Sequence, residues 1–288
     1  MNRLPITRTP KVYVGGAFIR SESGRVTALK DAAGNFFANI PQCTRKDLRN
    51  AIEAAAKAGP GCARRTAYNR GQILYRLAEM IEARRAEMIH AVRIGGADEA
   101  GATNEVTATI DRIIHYAGWC DKYEQVLGSV NPVASSHFNF TVTEPMGIVG
   151  IIAPDAAPLL GLVSLIAPAI TSGNTAIALA SSTQPYPAIV LGEMLATSDL
   201  PGGVVNLLTG LRGELIPTFA THEHLRAISG VADADERKQI EIGAAESVKR
   251  VRLQKAGEDI DWFGDTAQGV FEIRELIEFK TTWHPIGA

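Results

Sequence analysis

Cysteine is scarce and scattered in this 288-residue chain, with residues only at Cys43, Cys62 and Cys120. That spacing gives neither a disulfide framework nor a zinc site, and a reducing cytoplasm is the expected compartment. The six histidines (His90, His115, His137, His222, His224 and His284) are also dispersed. His222 and His224 are near neighbours, but no cysteine or paired carboxylate completes a metal set, so a solvated loop and no metal are expected there. An excess of one charge is lacking too. The net charge of -2 leaves no electrostatic footprint for nucleic acid. The most apolar stretch, Gly147 to Ile170, is broken by Pro154, Asp155, Pro158 and Pro168. A membrane span needs about 20 uninterrupted apolar residues, so none is expected. Met1 to Pro10 is polar and has no apolar centre, which argues against a signal peptide.

The pattern that remains is strand and helix in alternation. Lys11 to Ile19 has strand character around the turn Gly15-Gly16. Thr44 and Asp47 have capping-box spacing at a helix start, and Gly59-Pro60-Gly61 is expected to break that helix. Ile73, Leu74, Leu77, Met80 and Ile81 mark a second amphipathic helix. Glu99 to Tyr123 reads as a third, with Val106, Ile110, Ile113, Ile114 and Ala117 as its stripe. Phe138, Phe140 and Val142 alternate with Asn139, Thr141 and Thr143, the period of a two-faced strand. From Gly147 the rhythm changes to short continuous apolar runs, as in strands buried on both faces. These are 147–152, 175–179, 204–208, 225–229 and 248–253, with helices between, the first opening at Pro158 and the next after Pro185. Such alternation predicts a parallel sheet with right-handed crossovers, whose ligands bind at the carboxyl ends of the strands. Phe271 to Ile277 reads as a helical turn or strand entry. Glu278 to Trp283 reads as a last strand, stopped by Pro285.

Several of these segments carry a family signature. Glu144-Pro145-Met146-Gly147-Ile148-Val149-Gly150-Ile151-Ile152 resembles the E-P-x-G-V-V-G-I-I entry of the aldehyde dehydrogenase superfamily. Pro168-Ala169-Ile170-Thr171-Ser172-Gly173-Asn174-Thr175 resembles its P-A-L-A-x-G-N-T, and Leu200 to Asn206 its L-P-x-G-V-V-N. His115 to Asp121 resembles its Y-Y-A-x-x-A-D helix. The order and spacing of the motifs make the resemblance specific from about Lys11 to about Gly257. It implies an α/β fold: a parallel, Rossmann-like sheet with helices on both faces, preceded by helices and carrying an oligomerisation arm. By the same resemblance residues 1–257 form the dinucleotide-binding-type domain, with an oligomerisation strand at about 137–144. Residues 258–288 are a short tail ending in an oligomerisation-type strand. Only 34 residues follow Gln254, and the expectation is that no catalytic domain fits there.

The family's chemistry needs a thiolate, an oxyanion donor, a general base and a bound nicotinamide. The resemblance implies that each is lost. No cysteine stands where the nucleophile belongs, and Cys120 reads as a small buried hydrophobe. The family's P-W-N-x-P, whose Asn holds the developing negative oxygen, here reads Pro154-Asp155-Ala156-Ala157-Pro158. Loss of such a donor removes about 3 kcal/mol of transition-state stabilisation. The family's L-E-L-G-G-K reads Leu253-Gln254-Lys255-Ala256-Gly257-Glu258, and Gln254 cannot take a proton at neutral pH. The Lys and Glu that serve the cofactor ribose are replaced by Leu179 and Ser182. The phosphate-side F-T-G-S-T-x-x-G reads Gly230 to Arg237, where Asp233 is expected to cap the following helix with Glu236 three residues on. That would take the amides a pyrophosphate needs. Thr209-Gly210-Leu211-Arg212-Gly213 keeps its glycines as a strand-to-helix turn.

No residue is therefore assigned a catalytic role. Any surviving relic of the cofactor site is expected at Ala153, Pro154, Leu179, Ser182, Gly210 and Gly213, with NAD(P) implied by the family alone. Three readings follow. The first is an inactive structural or regulatory subunit whose arm strands pair with a complete aldehyde dehydrogenase or with another copy. The second is an active NAD(P)-dependent oxidoreductase with an altered site. The third is a small-molecule sensor in the vacated crevice.

Overall fold

Gly15 and Gly16 take positive φ, 63° and 86°, and fold Val12–Val14 (β1) back on Ala17–Ile19 (β2), as the Gly-Gly turn predicts. A computed structural model describes residues 9–258 and 260–287. Residues 1–8 of the polar opening segment lie outside that range. A second hairpin, Val26–Lys30 (β3) with Phe36–Pro41 (β4), was not expected from the sequence. Its turn is organised by Asp31, whose carboxylate accepts the N–H of Ala33 and of Asn35.

Four helices follow. Arg45–Ala63 (α1) opens at Thr44, whose N–H and hydroxyl both donate to the buried Asp47 carboxylate at 2.7 and 2.9 Å. The expected break at Gly59-Pro60-Gly61 does not occur: α1 continues through Pro60. Proline inside a helix costs about 3 kcal/mol. Here the carbonyl it leaves without its helical partner belongs to Ala56, an exposed residue, and the next turn is anchored by buried Cys62, whose thiol donates to the Asn174 carbonyl. Ala67–Ala83 (α2), Arg85–Arg93 (α3) and Glu99–Trp119 (α4) come next. α4 ends four residues short of the expected Tyr123, because the chain turns at Cys120 before the short helix Tyr123–Leu127 (α5). Ile114 is exposed rather than part of the buried stripe. Its neighbour Ile113 takes the inward position, and consecutive helix positions cannot both face the core.

Two strands, Ser129–Asn131 (β5) and His137–Pro145 (β6), precede the nucleotide-type core. That core runs Ile148–Ile152 (β7), Leu160–Thr171 (α6), Thr175–Leu179 (β8), Tyr186–Leu195 (α7), Val205–Leu208 (β9), Arg212–Thr221 (α8), Leu225–Ala232 (β10), Ala234–Ala245 (α9) and Arg250–Lys255 (β11). The chain then forms Val270–Arg274 (α10) and Ile277–Pro285 (β12). The main sheet has the order β11-β10-β7-β8-β9-β1-β2. Its first five strands are parallel, and the hairpin adds antiparallel at the β9 edge. Every residue of β7, β8 and β9 is buried, the signature of strands covered on both faces. α1, α8 and α9 cover one face, and α6 and α7 the other, backed by α2, α3 and α4.

β6 is the centre of a separate three-stranded sheet, β12-β6-β5, and pairs with β12 along nine residues, from Ile277 opposite Pro145 to Pro285 opposite His137. The two arm strands thus satisfy each other within one chain, rather than each needing a partner subunit for its ladder. Burial of Ile277, opposite the half-buried Pro145, fixes this register at one end, because a one-residue slip would turn Ile277 out.

Candidate functional site

The carboxyl ends of β7, β8, β9 and β10 meet at one rim of the sheet, where an open α/β sheet presents its ligand crevice. Close approach starts at Gly230, whose φ is 148°; a Cβ there would sit 2.1 Å from the Ile152 carbonyl oxygen. Glycine is what allows β10 to lie against β7 at this point.

The loop after β7 carries Asp155 to the neighbouring strand end. Its carboxylate accepts the Ser181 hydroxyl at 2.6 Å, the Ser182 N–H at 2.8 Å, the Ser182 hydroxyl at 2.9 Å and the Thr183 N–H at 3.2 Å. Burial alone would raise its pKa, but these donors, with Arg212 nearby, hold it below the usual carboxylate range. Ala156 follows on the exposed side, and Ala157 takes a positive φ of 48°. Pro154 is buried against Gly161, where a Cβ would come within 2.3 Å of its Cγ.

Arg212 opens α8 and crosses the rim. Its guanidinium donates to the carbonyls of Ala153 and Val231 and to Glu236 at 3.0 Å. Glu236 in turn accepts the Asp233 N–H, while Asp233 accepts the Glu236 N–H at 2.8 Å, so the expected capping box at the start of α9 is present. Arg237 donates to the Leu253 carbonyl. The rim of β7 and β10 is thereby laced by the chain's own ions.

Beside it lies a cleft of about 430 Å³ between the β3–β4 hairpin and the loops after β8 and β9. Of the residues singled out from sequence, Ser182 and Gly210 line it, together with Arg212. Ala153, Pro154 and Leu179 are buried, and Gly213 lies one residue into α8 facing open space. Gln254 stands near the end of β11, opposite Val231. Its side-chain Oε1 is buried and accepts no hydrogen bond. Ala156, in the loop after β7, and Gln254, near the end of β11, share the rim, and β10 lies between those two strands.

Three further groups were not singled out from sequence. Arg112, on α4 and 3% exposed, donates to the Ser164 hydroxyl at 2.6 Å, the Ala267 carbonyl at 2.5 Å and the Trp262 carbonyl at 2.8 Å. It fastens the segment after β11 onto α4 and α6. Glu105, one helical stripe away, accepts the N–H of Leu159 and of Leu160 and so caps α6. Its pKa is raised, because burial outweighs those two bonds. Trp262, buried on that same segment, packs beside Gly161. The signal was present: Glu105, Thr109, Arg112 and Tyr116 form a polar row at helical spacing, and all four are buried.

The three cysteines are buried and unpaired. Burial pushes the Cys43 thiol up to about 12 and that of Cys120 up to about 11, so neither is a nucleophile near neutral pH. His222 and His224 lie in the α8–β10 loop, as expected. Among the described residues no group of three or more His, Cys, Asp or Glu could hold a metal, and no helix is long and apolar enough to cross a membrane.

The architecture and sequence have clear relatives. Retinal dehydrogenase 2 from Gallus gallus is 31% identical over 278 residues, covering 91% of this chain and 53% of that protein. Mitochondrial aldehyde dehydrogenase from Rattus norvegicus is 26% identical over 274 residues, covering 88% and 52%. A variant of the aldehyde dehydrogenase from Bacillus cereus superposes with a TM-score of 0.82 at 25% identity, over 86% of this chain and 51% of that one. The chain therefore spans about half the length of the curated relatives it matches. The family model described as "Aldehyde dehydrogenase family" matches residues 18–261, and the chain belongs to that family.

Proposed function

We infer that this chain is a non-catalytic aldehyde-dehydrogenase-fold subunit, structural or regulatory, that acts beside a complete aldehyde dehydrogenase or another copy of itself. The observation that carries this reading is the rim closed by Asp155, Arg212 and Glu236. Asp155 occupies the amides of Ser182 and Thr183, and Asp233 occupies that of Glu236. These are backbone donors of the kind that hold phosphate at strand ends and helix starts. Leu179 and Ser182 offer no charged partner to a ribose. The residues present do not fit a dinucleotide in the way the family implies. The family's reaction also has no support from Ala156, which carries no donor, or from Gln254, which carries no titratable group. Three buried unpaired thiols suit a reducing compartment such as the cytoplasm.

One observation favours the second reading, an oxidoreductase with an altered site: the cleft of about 430 Å³ lies within the volume range of small-molecule sites, about 300–1,000 Å³. Thermal melting of the purified chain with NAD+ and NADP+, alongside aldehyde turnover assays, separates the two. No melting shift and no turnover are expected. A ligand at about 100 times its Kd would add about 2.7 kcal/mol, so a clear rise in Tm, or cofactor reduction with an aldehyde, overturns the first reading.

A further inference from the structure

We propose that this chain binds a small carboxylate with a short apolar body in a cleft at the amino-terminal edge of the main sheet, with Arg226 on the charged head. The cleft, of about 350 Å³, lies between the C-terminal half of α1 and the starts of β7, β8 and β10. That is the end of the parallel strands opposite the rim of Asp155 and Arg212, so the rule that places ligands at carboxyl ends does not assign it. Its volume falls within the range of small-molecule sites, about 300–1,000 Å³.

Arg226 and His224, at the start of β10, are the ionisable groups that line the cleft, and no carboxylate lines it. Both side chains belong to exposed residues. Among the described residues the Arg226 guanidinium donates no hydrogen bond and forms no ion pair. Arg112 and Arg212, by contrast, donate to the chain's own carbonyls. The Arg226 stem lies against Gly147, where a Cβ would meet its Cγ at 3.4 Å. A planar fork with no protein partner fits the two oxygens of a carboxylate.

The wall beside it is apolar and set back. α1 supplies Ala55, Gly59 and Ala63, which share one helical face, and a Cβ at Gly59 would meet nothing within 4 Å. Pro145 and Met146, from the junction of β6 and β7, complete the apolar lining. Thr175, at the start of β8, lines the same cleft; it is 1% exposed and its hydroxyl makes no hydrogen bond. A buried hydroxyl without a partner is uncommon and costs stability, and an oxygen of the ligand head is the kind of acceptor it lacks. Charge, apolar wall and orphan hydroxyl come from four separate elements and meet at one cleft.

Isothermal titration calorimetry of the full chain with hexanoate, its neutral counterpart hexanamide and inorganic phosphate tests the site. Saturable binding of hexanoate is expected, with a Kd on the order of 1 mM or tighter, and none of hexanamide or phosphate over the same range. Arg226→Gln should weaken hexanoate by about tenfold or more, the weight of a charge-assisted hydrogen bond. Gly59→Leu puts a side chain into the open space of the cleft and favours the helix. It should abolish binding while leaving circular dichroism unchanged and Tm equal or higher. Lys30→Gln, on the cleft at the opposite rim, should leave hexanoate binding as it is. No hexanoate binding, equal binding of hexanamide or phosphate, full affinity in Arg226→Gln or in Gly59→Leu, or loss on Lys30→Gln overturns the proposal. The site lies at the far end of the sheet from the closed rim, so the two readings fail separately. Aldehyde turnover or a melting shift with NAD+ ends the non-catalytic reading and leaves this cleft standing; absence of hexanoate binding does the reverse.

Discussion

The Asp155 carboxylate accepts the Ser182 backbone N–H at 2.8 Å, joining the end of β7 to the end of β8. With Ser181 and Thr183 as further donors, one side chain satisfies polar groups that would otherwise need water or a ligand at this rim.

Replacing Asp155 with Ala should cost about 1–3 kcal/mol, the penalty for leaving partly buried donors unmatched. Urea denaturation at neutral pH reads this directly. The effect should depend on pH with a definite sign. The folded carboxyl is depressed, so its contribution is complete above the ordinary carboxylate pKa of about 3.9 and disappears as pH falls through the folded value. The stability curves of wild type and variant should therefore converge in acid. A gap that persists well below that range would contradict the assignment.

Glu105 should behave in the opposite sense. Its folded pKa is raised, chiefly by burial, so it favours the folded state at low pH and loses that advantage as pH rises through the folded value. Glu105→Gln keeps an acceptor for Leu159 and Leu160 without the buried charge. It should match or exceed the wild type in Tm at pH 7, the difference vanishing in acid. Glu105→Ala should lower Tm at both pH values, since the cap itself is lost, typically about 1 kcal/mol.

Arg112→Met removes one cation that satisfies two carbonyls and a hydroxyl. A loss of about 2–4 kcal/mol is expected, and Arg112→Lys should recover little, because an ammonium cannot reproduce the planar fork. Limited proteolysis supplies the second readout: cleavage within 260–276 should accelerate in the variant, since that segment is what the guanidinium holds. Equal cleavage rates would show that the segment is secured by its apolar contacts alone.

Native protein treated with iodoacetamide at pH 8 should show no alkylation at Cys43, Cys62 or Cys120 by intact mass. All three should react in denaturant. Burial holds each thiol above its ordinary range, and only the thiolate reacts. Rapid labelling of any one in the folded state would expose a nucleophile that the geometry excludes.

The parallel core was legible because each buried strand is a short apolar run between helices that proline and glycine punctuate. Ile148–Ile152 and Thr175–Leu179 needed no tertiary knowledge. What sequence could not give was non-local. β3 is almost wholly exposed and shows no alternation, so its partner β4 identifies it better than its own residues do. α1 passes through Pro60 because packing around Cys62 outweighs a local penalty. The pairing of β6 with β12 depends on residues far apart in the chain, which no periodicity reports. At the rim, the Asp233 cap was readable from spacing. Arg212 was not, since its partners Ala153, Val231 and Glu236 come from the end of β7, from β10 and from the first turn of α9.

Thr141 and Thr281, whose hydroxyls meet at 2.9 Å, are 140 positions apart in the chain. At translation speeds of about 5–20 residues per second, β6 leaves the ribosome roughly ten seconds before the strand that covers its flank exists. During that interval Phe138, Phe140 and Val142 belong to an incomplete ribbon. The nascent polypeptide is then most susceptible to mispairing, and chaperone engagement at this stage is where its yield in a cell would be decided.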